Sequence, residues 1–368
     1  MNFSSNDYLG LAASEELKDA MIEGVERYGV GSGASRLVCG NFSVHEELEQ
    51  TIADFKQTEA ALAFSSGYAA ALGTIPALCG KDDIIILDKL SHASLIDAAK
   101  LSGATLRIFP HNNLNKLENL LAGARAKHGE STRILVVTES IFSMDGDAAP
   151  IRQMVELTET HGAMLLVDEA HAVGVLGPQG RGLVAELGME KRVTLQMGTL
   201  SKALGVCGGY IAASRVVIDL LINKARSFIY STAPPPALAF TAAAAVKIVQ
   251  SARGDELRAR LQHAAQTFCQ SRATKCCGLK LRVPIAAIIP LIIGDESAAM
   301  RASESLLERG YLVPAIRFPT VARGTARLRL TLSAAHETAQ IESLVACLRD
   351  IVPQLQTASD FPPDKLCN

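Results

Sequence analysis

Met164–Leu165–Leu166–Val167–Asp168–Glu169–Ala170–His171 runs four apolar residues straight into two carboxylates and an imidazole. An apolar run without polar alternation is the pattern of a strand covered on both faces. The polar residues then fall at the strand's carboxyl end, where catalytic groups gather in an open α/β sheet. A carboxylate buried there is costly unless it is paired. A pyridinium nitrogen is a suitable partner for Asp168, whose charge would keep that nitrogen protonated and make the ring an electron sink. His171 is placed to reach a ring hydroxyl. Taken alone, the D-E-A-H string fits a helicase box or a salt-bridged strand end about as well.

Working outward, Gly198–Thr199–Leu200–Ser201–Lys202–Ala203–Leu204–Gly205 follows the strand-like Val193–Met197. A lysine among small residues just beyond a buried strand is partly desolvated, which frees its amine to form an imine. Thr199 and Ser201 offer hydroxyls to a phosphate. An isolated lysine of this kind is usually an exposed loop residue; beside Asp168 and His171 the chemical reading prevails. Ser65–Ser66–Gly67–Tyr68–Ala69 follows Ala60–Phe64 and opens a helix, whose first N–H groups bind phosphate well, whether or not Ser66 also caps it. His92, in Asp88–Lys89–Leu90–Ser91–His92–Ala93–Ser94 after the strand Ile84–Leu87, can stack on a ring, although a lone histidine is as often structural. In Arg327–Leu328–Arg329–Leu330–Thr331, strand alternation puts both arginines on one face. One of them aimed into a cleft would hold a carboxylate bidentately. A solvated basic edge suits Arg327 better than Arg329, but the pattern alone does not separate them.

Ile134–Thr138 and Tyr210–Ala213 add further strands, and helical patterns lie between them: His45–Lys56, with Leu48, Ile52 and Phe55 on one face, then Leu114–Lys127 and Pro150–His161. The alternation predicts an α/β fold on a mostly parallel sheet. After about residue 250 the texture changes. Arg253–Ser271, Met300–Arg309 and Glu337–Ile351 read as helices; Leu279–Ile293, Tyr311–Arg317 and Ala326–Leu332 read as strands. The expected division is an N-terminal arm over 1–35, a large domain over 36–250 and a smaller α+β domain over 251–368, with a loosely ordered tail at Thr357–Asn368.

Length and composition agree with this. The chain has 368 residues, 48% of them hydrophobic, enough for a large core and two lobes. A net charge of −2 without long runs of either sign argues against nucleic-acid or anionic-membrane partners. No apolar run reaches the ~20 residues of a membrane helix, and the start MNFSSNDYLGL lacks a secretory signal's basic start and apolar core, so a cytoplasmic location is expected. The eight cysteines, at 39, 79, 207, 269, 276, 277, 347 and 367, form no C-x-x-C pair, so reduced thiols and no metal site are expected. No G-x-x-x-x-G-K-[ST] loop accompanies the D-E-A-H string, which removes the ATP-driven reading.

Taken in order, SNDYLGL at 4–10, GSGASR at 31–36, SSGYAA at 65–70, DKLSHASL at 88–95, ESIFSMDGDAAP at 139–150, DEAHAVGVLGPQGRG at 168–182, GTLSKALG at 198–205 and FPTVARGTARLRLTLSAAH at 318–336 resemble the α-oxoamine synthases. The resemblance runs from Asn2 to about Ile351. These are enzymes of pyridoxal 5'-phosphate with the aspartate aminotransferase-like fold. It implies Lys202 as the Schiff-base lysine and base, with Asp168 at the ring nitrogen and His92 on the ring face. His171 and Ser143 would meet the phenolic oxygen, and Gly67, Tyr68 and Thr199 the phosphate. Ser231 and Thr232 would reach the partner's phosphate in a homodimer, Arg329 would hold the amino-acid carboxylate, and Thr320 would contact substrate. Ala315–Ile316–Arg317 and IYSTAPPP at 229–236 are similar to the branch that joins L-alanine to pimeloyl-CoA or pimeloyl-acyl carrier protein in biotin biosynthesis. A glycine-using relative and a non-catalytic subunit of the same fold are the alternatives. Three departures stand out. The chain opens directly on NFSSNDYLGL, where members of that branch carry a further segment, so the arm over 1–35 is expected to be shortened and acyl-donor affinity affected. Ala71 replaces a frequent Asn, and Phe318 and Ala322 replace prolines.

Overall fold

The computed structural model describes residues 1–270 and 283–356. By contact the chain divides into two units. One comprises Leu11–Phe142 and Ala148–Asp255; the other comprises Met1–Gly10, Ser143–Asp147 and the described residues from Glu256 onward. The stretch expected to form a separate arm is thus shared out, its first ten residues going to the second unit and the rest to the first. The end of Arg253–Ser271, the start of Leu279–Ile293, the tail Thr357–Asn368 and Cys276, Cys277 and Cys367 lie outside the described residues.

In chain order the first unit runs α1 (Glu15–Tyr28), α2 (Ser43–Lys56), β1 (Ala60–Phe64), α3 (Gly67–Leu78), β2 (Ile84–Asp88), α4 (Ala93–Leu101), β3 (Thr105–Phe109), α5 (Leu114–His128), β4 (Ile134–Glu139), α6 (Ile151–Thr160), β5 (Met164–Asp168), α7 (Leu183–Glu186), β6 (Leu195–Thr199), β7 (Gly209–Ala213), α8 (Arg215–Lys224), α9 (Arg226–Ile229) and α10 (Pro236–Gln250). Seven strands form one sheet in the order β1-β7-β6-β5-β4-β2-β3. The neighbours from β6 across to β3 are parallel, and β7 is antiparallel to both β6 and β1. The mostly parallel sheet is as expected. β2, β4 and β5 are buried along almost their whole length, which explains their unbroken apolar sequences.

Alternate residues of these strands, among them Leu62, Ile85, Leu87, Val137, Leu166 and Ile211, join Ile75 and Leu95 in one core. Each such side chain contributes roughly 1.5–3 kcal/mol when removed from water. Local signals set the helix starts. Ser66 caps α3 by accepting from Ala69 N–H at 3.0 Å, and Asn113 caps α5 by accepting from Lys116 N–H at 2.9 Å. Gly209 is dictated by close approach, since a Cβ there would lie 2.4 Å from the amide nitrogen of Gly67. The first residue of β7 can therefore lie directly against the start of α3.

α11 (Ala252–Gln270) leads into the second unit, which continues with β8 (Ile288–Gly294), α12 (Glu296–Glu308), β9 (Ala315–Ile316), β10 (Ala326–Thr331) and α13 (Thr338–Gln356). Its strands form an antiparallel sheet in the order β8-β10-β9. The strand expected over Tyr311–Arg317 shrinks to two residues, because Pro314 has no N–H to give to a ladder. Among the described residues, no helix is long and apolar enough to cross a membrane.

Candidate active site

β4, β5 and β6 lie side by side and end on Glu139, Asp168 and Thr199. Glu139 and Asp168 are partners in the parallel register, so their side chains leave the sheet on the same face. Asp168 is 5% exposed, and its Oδ1 accepts from Ala170 N–H at 2.9 Å. Burial pushes its carboxyl up, opposed first by the charge of Lys202. A group in this state calls for a cation beside it.

Lys202 is half-buried on the loop between β6 and β7. Its Nζ lies 2.8 Å from His171 Nε2. The loop is tied back on itself: Gly208 C=O accepts from Leu200 N–H at 3.0 Å and from Thr199 Oγ1 at 2.9 Å, and Gly205 N–H donates to Lys202 C=O. The hydroxyls of Thr199 and Ser201, predicted to serve a phosphate, both donate to the Gly208 carbonyl. Gly67 opens α3 close by; a Cβ there would meet Thr199 and Met197 at ordinary contact distances of 3.8 and 3.9 Å. Helix geometry leaves the first N–H groups of α3, at Gly67 and Tyr68, without intrahelical acceptors. Tyr68 turns its exposed hydroxyl to Asp97 at 2.7 Å.

His92 caps α4, its Nδ1 accepting from Ser94 N–H at 3.2 Å. Its ring reaches solvent, yet the loss of surrounding water holds its pKa below the ordinary imidazole value, against the pull of Asp168. Its backbone N–H faces the Glu139 carboxyl and holds it down. Glu139 was not singled out from the sequence, where it reads as the polar end of an apolar strand.

A second missed pair closes the other side of the β5 end. Lys56 Nζ meets Glu169 Oε2 at 2.5 Å, with both side chains fully buried. Lys56 also donates to Arg181 C=O, and Glu169 Oε1 accepts from Val184 N–H at 2.9 Å. Only the apolar face around these residues could have hinted that the D-E-A-H glutamate faces inward. A cavity of about 370 Å³ lies elsewhere in this unit, lined in part by Arg36, Glu49, Arg215 and Phe228. Arg36 and Glu49 pair with each other at 2.9 Å there, and the reactive cluster is not part of its lining.

In the second unit Arg327 and Arg329 do share a face, reaching the same turn at Ser143–Asp145. Arg327 donates to Asp145 Oδ1 at 2.6 Å and to Met144 C=O; Arg329 donates to Ser143 C=O at 2.6 Å, Asn6 Oδ1 at 3.1 Å and Thr331 Oγ1 at 3.2 Å. Each is 6% exposed, so the solvated-edge reading of Arg327 is wrong: its guanidinium is buried against a carboxylate. Thr320 is exposed, its N–H bonded to Arg317 C=O at 3.0 Å. In the first unit Ser231 is half-buried and Thr232 exposed, with Thr232 bridged to Ser35.

A family model described as aminotransferase class I and II matches residues 1–348. The chain is 48% identical over 351 residues to the 8-amino-7-oxononanoate synthase of Geobacter sulfurreducens, covering 95% of this chain and 88% of that one. It is 47% identical over 352 residues to the enzyme of the same name from Herminiimonas arsenicoxydans, covering 95% and 89%. Among solved structures, Sphingomonas wittichii serine palmitoyltransferase superposes with a TM-score of 0.91 at 32% identity, covering 97% of this chain and 88% of that one. The 8-amino-7-oxononanoate synthase of Francisella tularensis superposes at 0.81 and 30% identity, covering 97% and 98%. A further neighbour, serine palmitoyltransferase from S. paucimobilis, carries a PLP–myriocin aldimine, with a TM-score of 0.91 at 31% identity and coverage of 97% and 88%.

Proposed function

The chain belongs to the class I and II aminotransferase family, with that family's pyridoxal-phosphate fold, and we propose that it condenses L-alanine with a pimeloyl thioester. One carbon–carbon bond forms at the alanine α-carbon. The thiol and carbon dioxide leave, and a proton returns to that carbon, giving 8-amino-7-oxononanoate. The observation that carries this reading is the Lys202–His171 contact at 2.8 Å beside the buried Asp168. The close relatives direct it to alanine and the pimeloyl group.

The residues present fit pyridoxal phosphate. Asp168 is a buried carboxyl pushed up by burial, and a pyridinium nitrogen would supply a cation beside it. The start of α3 offers N–H groups for a phosphate, and a Cβ at Gly67 would meet its neighbours only at ordinary contact distance. When bound, the cofactor supplies an electron sink for negative charge at the amino-acid α-carbon.

Lys202 would hold the cofactor and, once its amine is released, take the α-proton as general base. Asp168 would keep a proton on the ring nitrogen. His92 would pack on the ring face, and His171 and Ser143 would bond the phenolic oxygen. Gly67, Tyr68 and Thr199 would hold the phosphate, and Ser231 and Thr232 would reach the phosphate of a second copy in a homodimer. Exposed Leu37, Val38 and Tyr230 support that dimer: they flank the segment laced to Thr232 through Ser35, and such apolar exposure favours association. Arg329 pairs with the alanine carboxylate, and Thr320 contacts substrate. The acyl donor is a CoA ester or an acyl carrier protein, and the reaction takes place in the cytoplasm.

The test is to load the purified protein with pyridoxal phosphate and supply pimeloyl-CoA or pimeloyl-acyl carrier protein together with alanine, glycine or serine. Release of thiol and carbon dioxide with alanine alone, abolished in Lys202→Ala together with the visible absorbance of the lysine-linked cofactor, is the expected result. Turnover with glycine or serine in preference to alanine, or a Lys202→Ala protein with unchanged absorbance, would overturn it.

A further inference from the structure

Glu139 stands beside the reactive cluster without a part in the scheme above. Its strand partner in register is Asp168. The backbone N–H of His92, the residue that starts α4, faces its carboxyl and holds it down. Its side chain is buried, and Oε1 has no hydrogen-bond partner among the described residues. An ionised carboxylate left with a bare buried oxygen next to a second carboxyl is doubly penalised, by desolvation and by repulsion. A protonated carboxyl escapes the repulsion and the larger, ionic part of the desolvation cost.

We propose that Glu139 is a positioning residue for the cofactor pocket: a neutral carboxylic acid between the Asp168 strand end and the start of α4. It fixes the His92 backbone without adding a second negative charge beside the ring nitrogen's partner. The inference rests on the pyridoxal-phosphate reading of Asp168 and His92.

The groups around Glu139 support a single shared negative charge. Asp168 on β5 and Asp88 at the end of β2 push its carboxyl up, and Lys202 from the β6–β7 loop pulls it down. Burial is the largest influence, and together they raise it from the usual 4.5 to about 8. Asp88 has its own donors in Leu90 N–H, Asn112 N–H and His111, so it needs no proton from Glu139. Asp168, which the proposed scheme sets against the ring nitrogen, is the carboxyl assigned the charge. The sign follows. A carboxyl raised by folding favours the native state fully below its unfolded value of 4.5, and that advantage is lost as pH climbs to about 8.

Two measurements test this without turnover. In the first, urea unfolding of the cofactor-free protein and of Glu139→Gln is followed from pH 5 to 9. The stability of the original chain relative to the variant should fall as pH rises toward about 8 and then level off. A difference that stays constant over that range would mean that Glu139 is ionised throughout, and would overturn the neutral-acid assignment. In the second, pyridoxal phosphate is titrated into the cofactor-free proteins. Glu139→Gln, which keeps an acceptor for His92 N–H, should bind within about threefold of the original. Glu139→Ala, which strands that N–H, should bind about tenfold more weakly. Equal affinity in all three would overturn the positioning role. Failure of the original chain to bind pyridoxal phosphate at all would instead overturn the cofactor reading, a separate outcome.

Discussion

Asp168 and Glu169 are consecutive residues, both buried, and they keep opposite company. Glu169 lies on the closed side of the β5 end, where Lys56 and the Val184 N–H occupy its two oxygens. Asp168 lies on the open side, with a single backbone donor, Ala170, among the described residues and a carboxyl pushed up by burial. The glycines repeat the contrast. Gly182, at a φ of +105°, leaves no room for a Cβ, which would lie 2.6 Å from the Glu169 carboxylate. Gly67, on the open side, would place one at ordinary contact distance. One side of the strand end is finished by the chain itself, whereas the other is the side that the proposed function gives to the cofactor.

The sharpest way to break this contrast is Glu169→Gln. It strands the Lys56 ammonium in a dry site, and losing one partner of a buried pair costs about 3–5 kcal/mol. Urea unfolding of the cofactor-free variant should show that loss, and a midpoint unchanged from the original would erase the distinction between the two sides. Asp168→Asn should do the reverse. Turnover falls about 10²-fold or more because an amide cannot hold the ring proton. The cofactor-free protein, relieved of a poorly solvated carboxyl, is as stable as before or more so. Near-normal turnover would remove Asp168 from its role. The smallest effect is expected of Gly67→Ala. It should leave cofactor-free stability unchanged or raised by up to ~1 kcal/mol, while crowding the phosphate and weakening cofactor binding. A clear loss of stability would show that the α3 start is as tightly built as the Gly182 turn.

What the sequence makes legible follows from the same contrast. Asp168, Lys202 and His171 stand at the ends of strands whose apolar runs announce them, and the structure brings Lys202 and His171 together at 2.8 Å. Lys56 and Glu169 are 113 residues apart, and nothing local in either sequence names its partner. Glu139 was hidden because a glutamate that ends a strand looks like a solvated residue until its neighbour in the sheet is known. β3 escaped notice because Thr105–Phe109 lies at the sheet edge, where Arg107 and Ile108 are exposed and the apolar pattern breaks. Tyr311–Arg317 has the right residue types for a longer strand, but Pro314 interrupts it.

The one antiparallel strand of the large sheet sets how far Lys202 can travel. Had β7 run parallel to β6, a crossover of a dozen or more residues would separate them. Instead the chain turns back between Thr199 and Gly209, and both ends of the turn are pinned to paired strands. The lysine thus rides on a short tether moored at both ends. It can swing its amine without shifting its backbone, and an insertion within this turn would put the amine out of reach long before it harmed the fold.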